Sequence, residues 1–404
     1  MAKIPGKLTP AKVSKPRPDF PLFPHATGRW AKKIRGRLVY FGKVSDDTRG
    51  QAALQKWLDQ KDDLLAGRTP RVAGDGLSIR DLCNRFLTAK QGKLESGELS
   101  PATFADHHAT CARIIKAFGP TRLVADLDAS DFERFRRSMA KGWGPVTLAN
   151  EVRRVRTVFR YAEQNLLIAA PVRFGTEFKQ PSRKVLRLDR AKKGPRMFEA
   201  KELTALLGKA TMPLKAMILL GINCALGNSD IANLPTTAVD LKRGWLDFPR
   251  PKTGTPRRCP LWSETITAIR EALAVRPVPK DGQHVGLLFV TSHGGKWAQA
   301  RVEEPDVKTG KRRMWSDDPV GKEFTKLLNA LKLKRPGLSF YALRHTFATV
   351  ASGSRDQIAV NDIMGHTAAA NDMSAVYREQ IDDSRLLAVT EHVRKWLFGE
   401  EEAK

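Results

Sequence analysis

Cysteine is scarce in this chain. Its 404 residues include four, at Cys83, Cys111, Cys224 and Cys259. None belongs to a Cys-x-x-Cys pair, which argues against a zinc site or a disulfide framework and fits a reducing cytoplasm. Long apolar runs are missing too. The longest, Leu214 to Leu226, includes Lys215 and Asn223 and falls short of the roughly 20 residues a bilayer-spanning helix needs. The N-terminus has charges but no hydrophobic stretch, so no signal peptide is expected there. No glycine-rich phosphate loop and no internal repeat occur. Above all, acid is in short supply. Asp and Glu number 43 against 70 Lys and Arg, a formal charge of +27. Such an excess suits a protein lying along a polyanion, where each cation set against a phosphate releases a counterion. With 41% apolar and 28% charged residues, the composition is that of a folded chain, and the length predicts two or three domains.

The charge is unevenly spread. Residues 1–45 hold eleven basic residues and one acid, and residues 171–196 hold nine and two. The last 34 residues reverse the balance, with five basic and eight acidic. Residues 1–70 read as a basic extended arm (1–24), a hairpin and a helix. In Gly28–Gly42, two β-prone runs, Trp30–Ile34 and Leu38–Phe41, flank Arg35-Gly36-Arg37. Gly36 supplies the positive φ of a tight turn. A two-stranded ribbon fits a major groove, with Arg29, Lys32, Lys33, Arg35 and Arg37 on or near it. The alternative is an exposed hairpin with solvated charges.

Residues 76–170 read as four helices. Ser78 with Asp81, and Ser130 with Glu133, have capping-box spacing. Pro101 sits in a first turn. The last helix puts Leu148, Val152, Val155, Phe159 and Ala162 on one side and a stripe of Arg153, Arg156 and Arg160 on another. Solvated helix faces usually mix signs, so this stripe is a candidate DNA grip. The basic stretch 171–196 reads as a linker. Residues 197–404 mix helices with strand candidates Trp245–Phe248, Arg257–Leu261 and Leu287–Val290. Pro251-Lys252-Thr253-Gly254 forms the turn between the first two. A final helix, Asp383–Phe398, carries an apolar stripe of Leu386, Leu387, Val389, Val393, Trp396 and Leu397.

The chemistry lies in three boxes: Tyr341-Ala342-Leu343-Arg344-His345-Thr346-Phe347-Ala348-Thr349, then Ile363-Met364-Gly365-His366, then Tyr377-Arg378. In this order they resemble the boxes of the tyrosine recombinases, the phage integrase family. The resemblance is best over the catalytic half. It implies a multi-domain fold, mainly α with small β elements: an N-terminal arm-binding β-hairpin module, a helical (SAM-like) core-binding domain, and a mixed α/β catalytic domain ending in a C-terminal exchange helix. Cleaving a phosphodiester without metal needs a nucleophile, an acid for the leaving oxygen and cations around the phosphorane. The resemblance implies Tyr377 as nucleophile, forming a 3′-phosphotyrosyl link that a second strand can reverse. It implies Lys252 as general acid, Arg344 as a fork on the nonbridging oxygens, and His366 as donor. No metal and no cofactor are expected.

Three features depart from the family pattern. The first catalytic arginine normally stands in a Gly-Leu-Arg-x-x-Glu-Leu box. Here the stretch is Ala225-Leu226-Gly227-Asn228-Ser229-Asp230, which puts Gly227, or with a slip of one Asn228, in its place. Losing one preorganised donor costs on the order of 100-fold to 1000-fold in rate. Arg250, Arg257 and Arg258, around the Lys252 turn, are the candidate substitute cations. Tyr341 stands where histidine is usual. A phenol donates a hydrogen bond but, with a pKa near ~10, is a poor base at neutral pH. The stretch from His366 to Tyr377 is slightly longer than usual.

The expectation is a site-specific DNA recombinase. Its partner would be double-stranded DNA, at core and arm sites. It would be a monomer in free solution and a homo-tetramer on DNA, with DNA-bending accessory factors. It would work in the cytoplasm, at a prokaryotic nucleoid, and not at a membrane. The alternatives are a catalytically impaired integrase-like DNA-binding protein, which Gly227 favours, and a type IB topoisomerase-like enzyme.

Overall fold

The computed structural model describes residues 14–67, 76–302, 314–366 and 380–399. The chain divides into two compact units, residues 1–186 and 187–404.

The first unit opens with a three-stranded antiparallel sheet of β1 (Phe23–His25), β2 (Arg29–Ile34) and β3 (Arg37–Lys43). The expected two-stranded ribbon therefore gains a strand from what read as an extended arm. The β2–β3 turn pairs Ile34 with Arg37 and leaves Arg35 and Gly36 both at positive φ, 49° and 83°. That is the mirror-image turn matching the twist of a hairpin. Helix α1 (Gln51–Leu65) covers one sheet face. Trp30, Ile34, Phe41 and Trp57 form that small core.

Four helices follow: α2 (Ile79–Glu95), α3 (Pro101–Phe118), α4 (Ala129–Ala140) and α5 (Pro145–Gln164). Ser78 caps α2 by accepting the Asp81 N–H at 3.1 Å, as its spacing predicts. For α4 the cap is Asp128 with Asp131, not Ser130 with Glu133. A carboxylate at the N-cap accepts two first-turn N–H groups, from Ser130 at 2.7 Å and Asp131 at 3.1 Å, more than one hydroxyl would satisfy. The stretch 171–196 is not a bare linker. Phe178 is fully buried in the helical core, with Phe174 packed beside it, and residues Arg183–Lys192 form a helix, α6, with no buried residue. The division between the units falls inside α6.

In the second unit, helices α7 (Ala200–Lys209), α8 (Leu214–Asn223), α9 (Asn228–Asn233), α10 (Ser263–Ala274), α11 (Pro319–Ala330), α12 (Ala342–Ala351), α13 (Gln357–Ile363) and α14 (Asp383–Phe398) accompany two small sheets. One sheet has the order β4 (Val239–Asp240), β5 (Trp245–Asp247), β6 (Arg258–Pro260); the other pairs β7 (Gln299–Val302) with β8 (Met314–Asp317). Leu287–Val290 is not a strand. It is a buried connection bridged only through Pro235–Leu287, its apolarity serving the core rather than a ladder. The polar interruption of the long apolar run has a role. Asn223 is wholly buried and accepts from Trp262 N–H and the Thr265 hydroxyl, both at 3.0 Å, while donating to the Pro260 carbonyl at 3.0 Å. It ties the end of α8 to β6 and α10.

Helix α14 lies where its pattern predicts but its apolar side is already occupied. Leu386, Val389, Val393 and Leu397 are buried in the unit's own core, and Trp262 Nε1 donates to the Thr390 carbonyl at 3.1 Å. Four residues of the stripe are thus packed within the chain, while Leu387 is exposed.

Candidate active site

Arg344 holds the site together. It sits in the first turn of α12 and is 2% exposed. Its Nη1 donates to the Ala225 carbonyl at 2.8 Å and its Nη2 to the Met364 carbonyl at 2.5 Å. Ala225 ends the loop before Gly227, and Met364 precedes Gly365-His366. One guanidinium therefore joins its own box to the Gly-His box 20 residues on and to the Ala225 stretch 119 residues back. Ala225 adopts a left-handed backbone, φ 54°, a strain of about 1–3 kcal/mol that aims its carbonyl at Arg344. Burial and the nearby charge of Arg250 push the Arg344 pKa down to about 10, so it remains a cation at neutral pH.

Gly227 is buried at the start of α9, its N–H donating to Asp230 Oδ2 at 3.0 Å. A Cβ on it would lie 3.3 Å from two atoms of the Tyr341 ring. The tyrosine thus rests on the spot where a larger side chain would start. Asn228 is not a free donor, because its Nδ2 binds Asp318 Oδ2 at 2.7 Å.

The three substitute cations have different surroundings. Arg258 bonds Asp383 and lies 4.0 Å over the Trp245 ring. Both contacts engage its guanidinium away from Arg344. Arg257 has a fully enclosed side chain, with Nε on the Phe248 carbonyl at 3.0 Å and Nη1 3.3 Å from Asp230 Oδ2. Removing one partner of such a pair leaves an uncompensated buried charge. Asp230→Ala is therefore expected to destabilise the full chain by about 3–5 kcal/mol, read as an earlier midpoint in chemical denaturation; an unmoved midpoint would show that the pair holds nothing. Arg250 is half-buried at the base of the Lys252 turn. Lys252 itself is exposed at the tip.

Gly365 takes a left-handed φ of 58° at the end of α13, and a Cβ there would lie 3.1 Å from Arg250 Cβ and 3.5 Å from Arg257 Cδ. Only glycine meets both demands. His366 follows it and is exposed. Desolvation, with the charges of Arg344 and Arg250, holds its pKa below the ordinary histidine value. The ring is neutral at pH 7 and becomes a cation only as pH falls through that lowered value. Deleting Arg250 removes one repelling charge, so Arg250→Ala is expected to move the His366 titration upward, followed by the ring Hε1 resonance in NMR. A midpoint that stays in place would mean Arg250 is not felt there.

Tyr377 lies outside the described residues. No cluster of metal-binding side chains occurs among the described residues, and the four cysteines are free and buried. Thr346 was not singled out from the sequence; its buried hydroxyl accepts the Phe198 N–H at 2.9 Å and fixes α12 against the start of the unit. A β-branched polar residue inside an apolar helix face was the available signal.

The DNA-facing candidates also separate. Lys33, Arg35, Arg37, Arg153 and Arg160 are exposed. Arg29 is exposed beside the Tyr40 ring. Lys32 instead donates to the Pro21 carbonyl at 2.9 Å and lies over Trp57. Arg156 donates to the Phe178 carbonyl and stacks on Phe174. These two brace their own modules, because a long cation beside aromatic rings packs as readily as it binds phosphate.

The second unit is thus a mixed α/β domain whose buried arginine bonds the Ala225 and Met364 carbonyls and feels the charges of Arg250 and Arg257. Residues 195–382 match the phage integrase family. No curated protein matches the chain. Solved integrases share the fold. Tn1549 transposon integrase in complex with a circular intermediate DNA is 18% identical, with a TM-score of 0.53, covering 77% of this chain and 98% of that one. A lambda integrase dimer bound to a COC′ core site is 13% identical, with a TM-score of 0.54, covering 91% and 98%. A lambda integrase tetramer bound to a Holliday junction is 14% identical, with a TM-score of 0.52 and the same coverage. Among the described residues, no helix is long and apolar enough to cross a membrane.

Proposed function

We propose that this protein is a site-specific DNA recombinase that cuts and rejoins duplex DNA through a 3′-phosphotyrosyl intermediate. Tyr377 attacks the scissile phosphate. Lys252, exposed on its turn, protonates the leaving 5′-oxygen. Arg344 and neutral His366 hold the nonbridging oxygens, with Tyr341 as a further donor. The supporting observation is the convergence through Arg344 of boxes that are far apart in sequence. The charge of +27 and the exposed Arg153 and Arg160 support a grip on duplex DNA. By analogy with the relatives solved on a core site and on a Holliday junction, four protomers act together on paired sites.

The test is a duplex selected for tight binding from a random-sequence pool, then nicked near the cleavage position so that the short flank diffuses away. A protein–DNA adduct that survives denaturant is the expected result. Tight binding without any adduct would leave the impaired DNA-binding reading, which Gly227 favours.

A further inference from the structure

Gly227 leaves the phosphate site one guanidinium short of what its chemistry needs. We propose that Arg250 fills that place and holds a nonbridging oxygen of the scissile phosphate. The assignment rests on the recombinase reading above and names one more residue in the same site.

Position comes first. Arg250 sits where the Lys252 turn leaves the sheet, and its backbone is fixed on both sides. Its N–H donates to Thr255 at 2.8 Å, and its carbonyl accepts from Thr253 at 3.1 Å and Gly254 at 2.8 Å. Its side chain runs along Gly365, the residue before His366, with Cβ and Cδ 3.1 and 3.3 Å from where a Cβ on that glycine would be. The Gly-His box thus presses one flank of Arg250, and Lys252 lies two residues on. The lowered pKa of both Arg344 and His366, each partly caused by Arg250, agrees with this placement.

Availability comes second. Among the described residues Arg250 has no side-chain hydrogen bond and no ion pair, although it is half-buried. Arg258 is committed to Asp383, and Arg257 to Asp230 and the Phe248 carbonyl. With Nε on the Phe248 carbonyl and Nη1 paired to Asp230, Arg257 is a positioning residue that braces the hairpin. A half-buried guanidinium without an anion is costly unless a ligand supplies one.

Charge comes third. Arg344, Arg250 and Arg257 share this site with one carboxylate, Asp230, which leaves two positive charges unbalanced. A phosphodiester attacked by a phenolate passes through a phosphorane with two negative charges. The excess matches the transition state better than the single charge of the bound diester, which is the condition for acceleration.

The test uses the full chain and the nicked duplex described above. Arg250→Ala is expected to slow adduct formation on the order of 100-fold to 1000-fold, with DNA affinity and thermal midpoint unchanged. The same duplex with a methylphosphonate at the scissile position supplies a readout that a structural role would not move. With one charged oxygen replaced by methyl, the Arg250→Ala defect should shrink to a few-fold. A defect of equal size on both substrates would overturn the assignment, as would wild-type cleavage by Arg250→Ala. A wild-type chain that forms no adduct overturns the recombinase reading, and this assignment with it. A wild-type adduct left intact by Arg250→Ala overturns this assignment alone.

Discussion

On the proposed mechanism, Tyr377→Phe is expected to bind its duplex as the wild type does and to form no covalent adduct. The phenylalanine keeps the ring and loses only the oxygen that bonds to phosphorus, so no covalent intermediate remains possible. The chain limits the alternatives. It has four tyrosines, and two of them, Tyr40 and Tyr161, lie in the first unit, where the Tyr161 hydroxyl donates to the Arg85 carbonyl at 3.3 Å. Tyr341 is the one rival in residues 187–404. Its ring is 44% exposed, against Gly227 and edge-on to His345 at 5.5 Å. Tyr341→Phe keeps that packing and removes one hydrogen-bond donor, about 0.5–1.5 kcal/mol at most, so it should retain the adduct at a rate reduced a few-fold. The opposite pattern, adduct lost in Tyr341→Phe and kept in Tyr377→Phe, would move the nucleophile to α12.

Arg344→Lys is expected to lose both rate and fold stability. Lysine keeps the charge but presents one compact ammonium in place of a planar fork. It does not reach the Ala225 and Met364 carbonyls together while also holding a phosphate oxygen. Cleavage is expected to fall on the order of 100-fold to 1000-fold. Two buried charge-assisted hydrogen bonds weaken, each contributing about 1.5–3 kcal/mol. For a unit of this size that lowers the thermal midpoint by roughly 5–10 °C. The pair of readouts separates Arg344 from Arg250, whose loss should leave the midpoint in place. A rate defect with an unmoved midpoint would show that the two carbonyl contacts hold nothing together.

Sequence carried the features that are local. Gly36 marked its turn, Ser78 and Pro101 marked their helix starts, and the period of Leu386, Val389, Val393 and Leu397 placed the last helix. The boxes were legible because their residues are consecutive. What escaped were the partners of each charge. Arg156 and Lys32 read as free cations because nothing near them in sequence shows that Phe178 and Trp57 will lie beside them. Asp230 and Arg257 are 27 residues apart, and their pairing exists only once α9 meets the hairpin. Leu287–Val290 read as a strand because an apolar run in a buried connection has the same composition as one in a sheet. The third strand of the first sheet was hidden by prolines, which sequence reading assigns to coil but which an edge strand tolerates.

The contact between Gly227 and Tyr341 also bears on how such a site can change over generations. With the ring settled on the glycine, a side chain at 227 requires it to give way by a few tenths of an ångström. A lone reversion from glycine to arginine meets that obstacle at its first carbon atom, before its charge reaches the phosphate. Restoring a guanidinium at 227 therefore also requires the Tyr341 ring to shift.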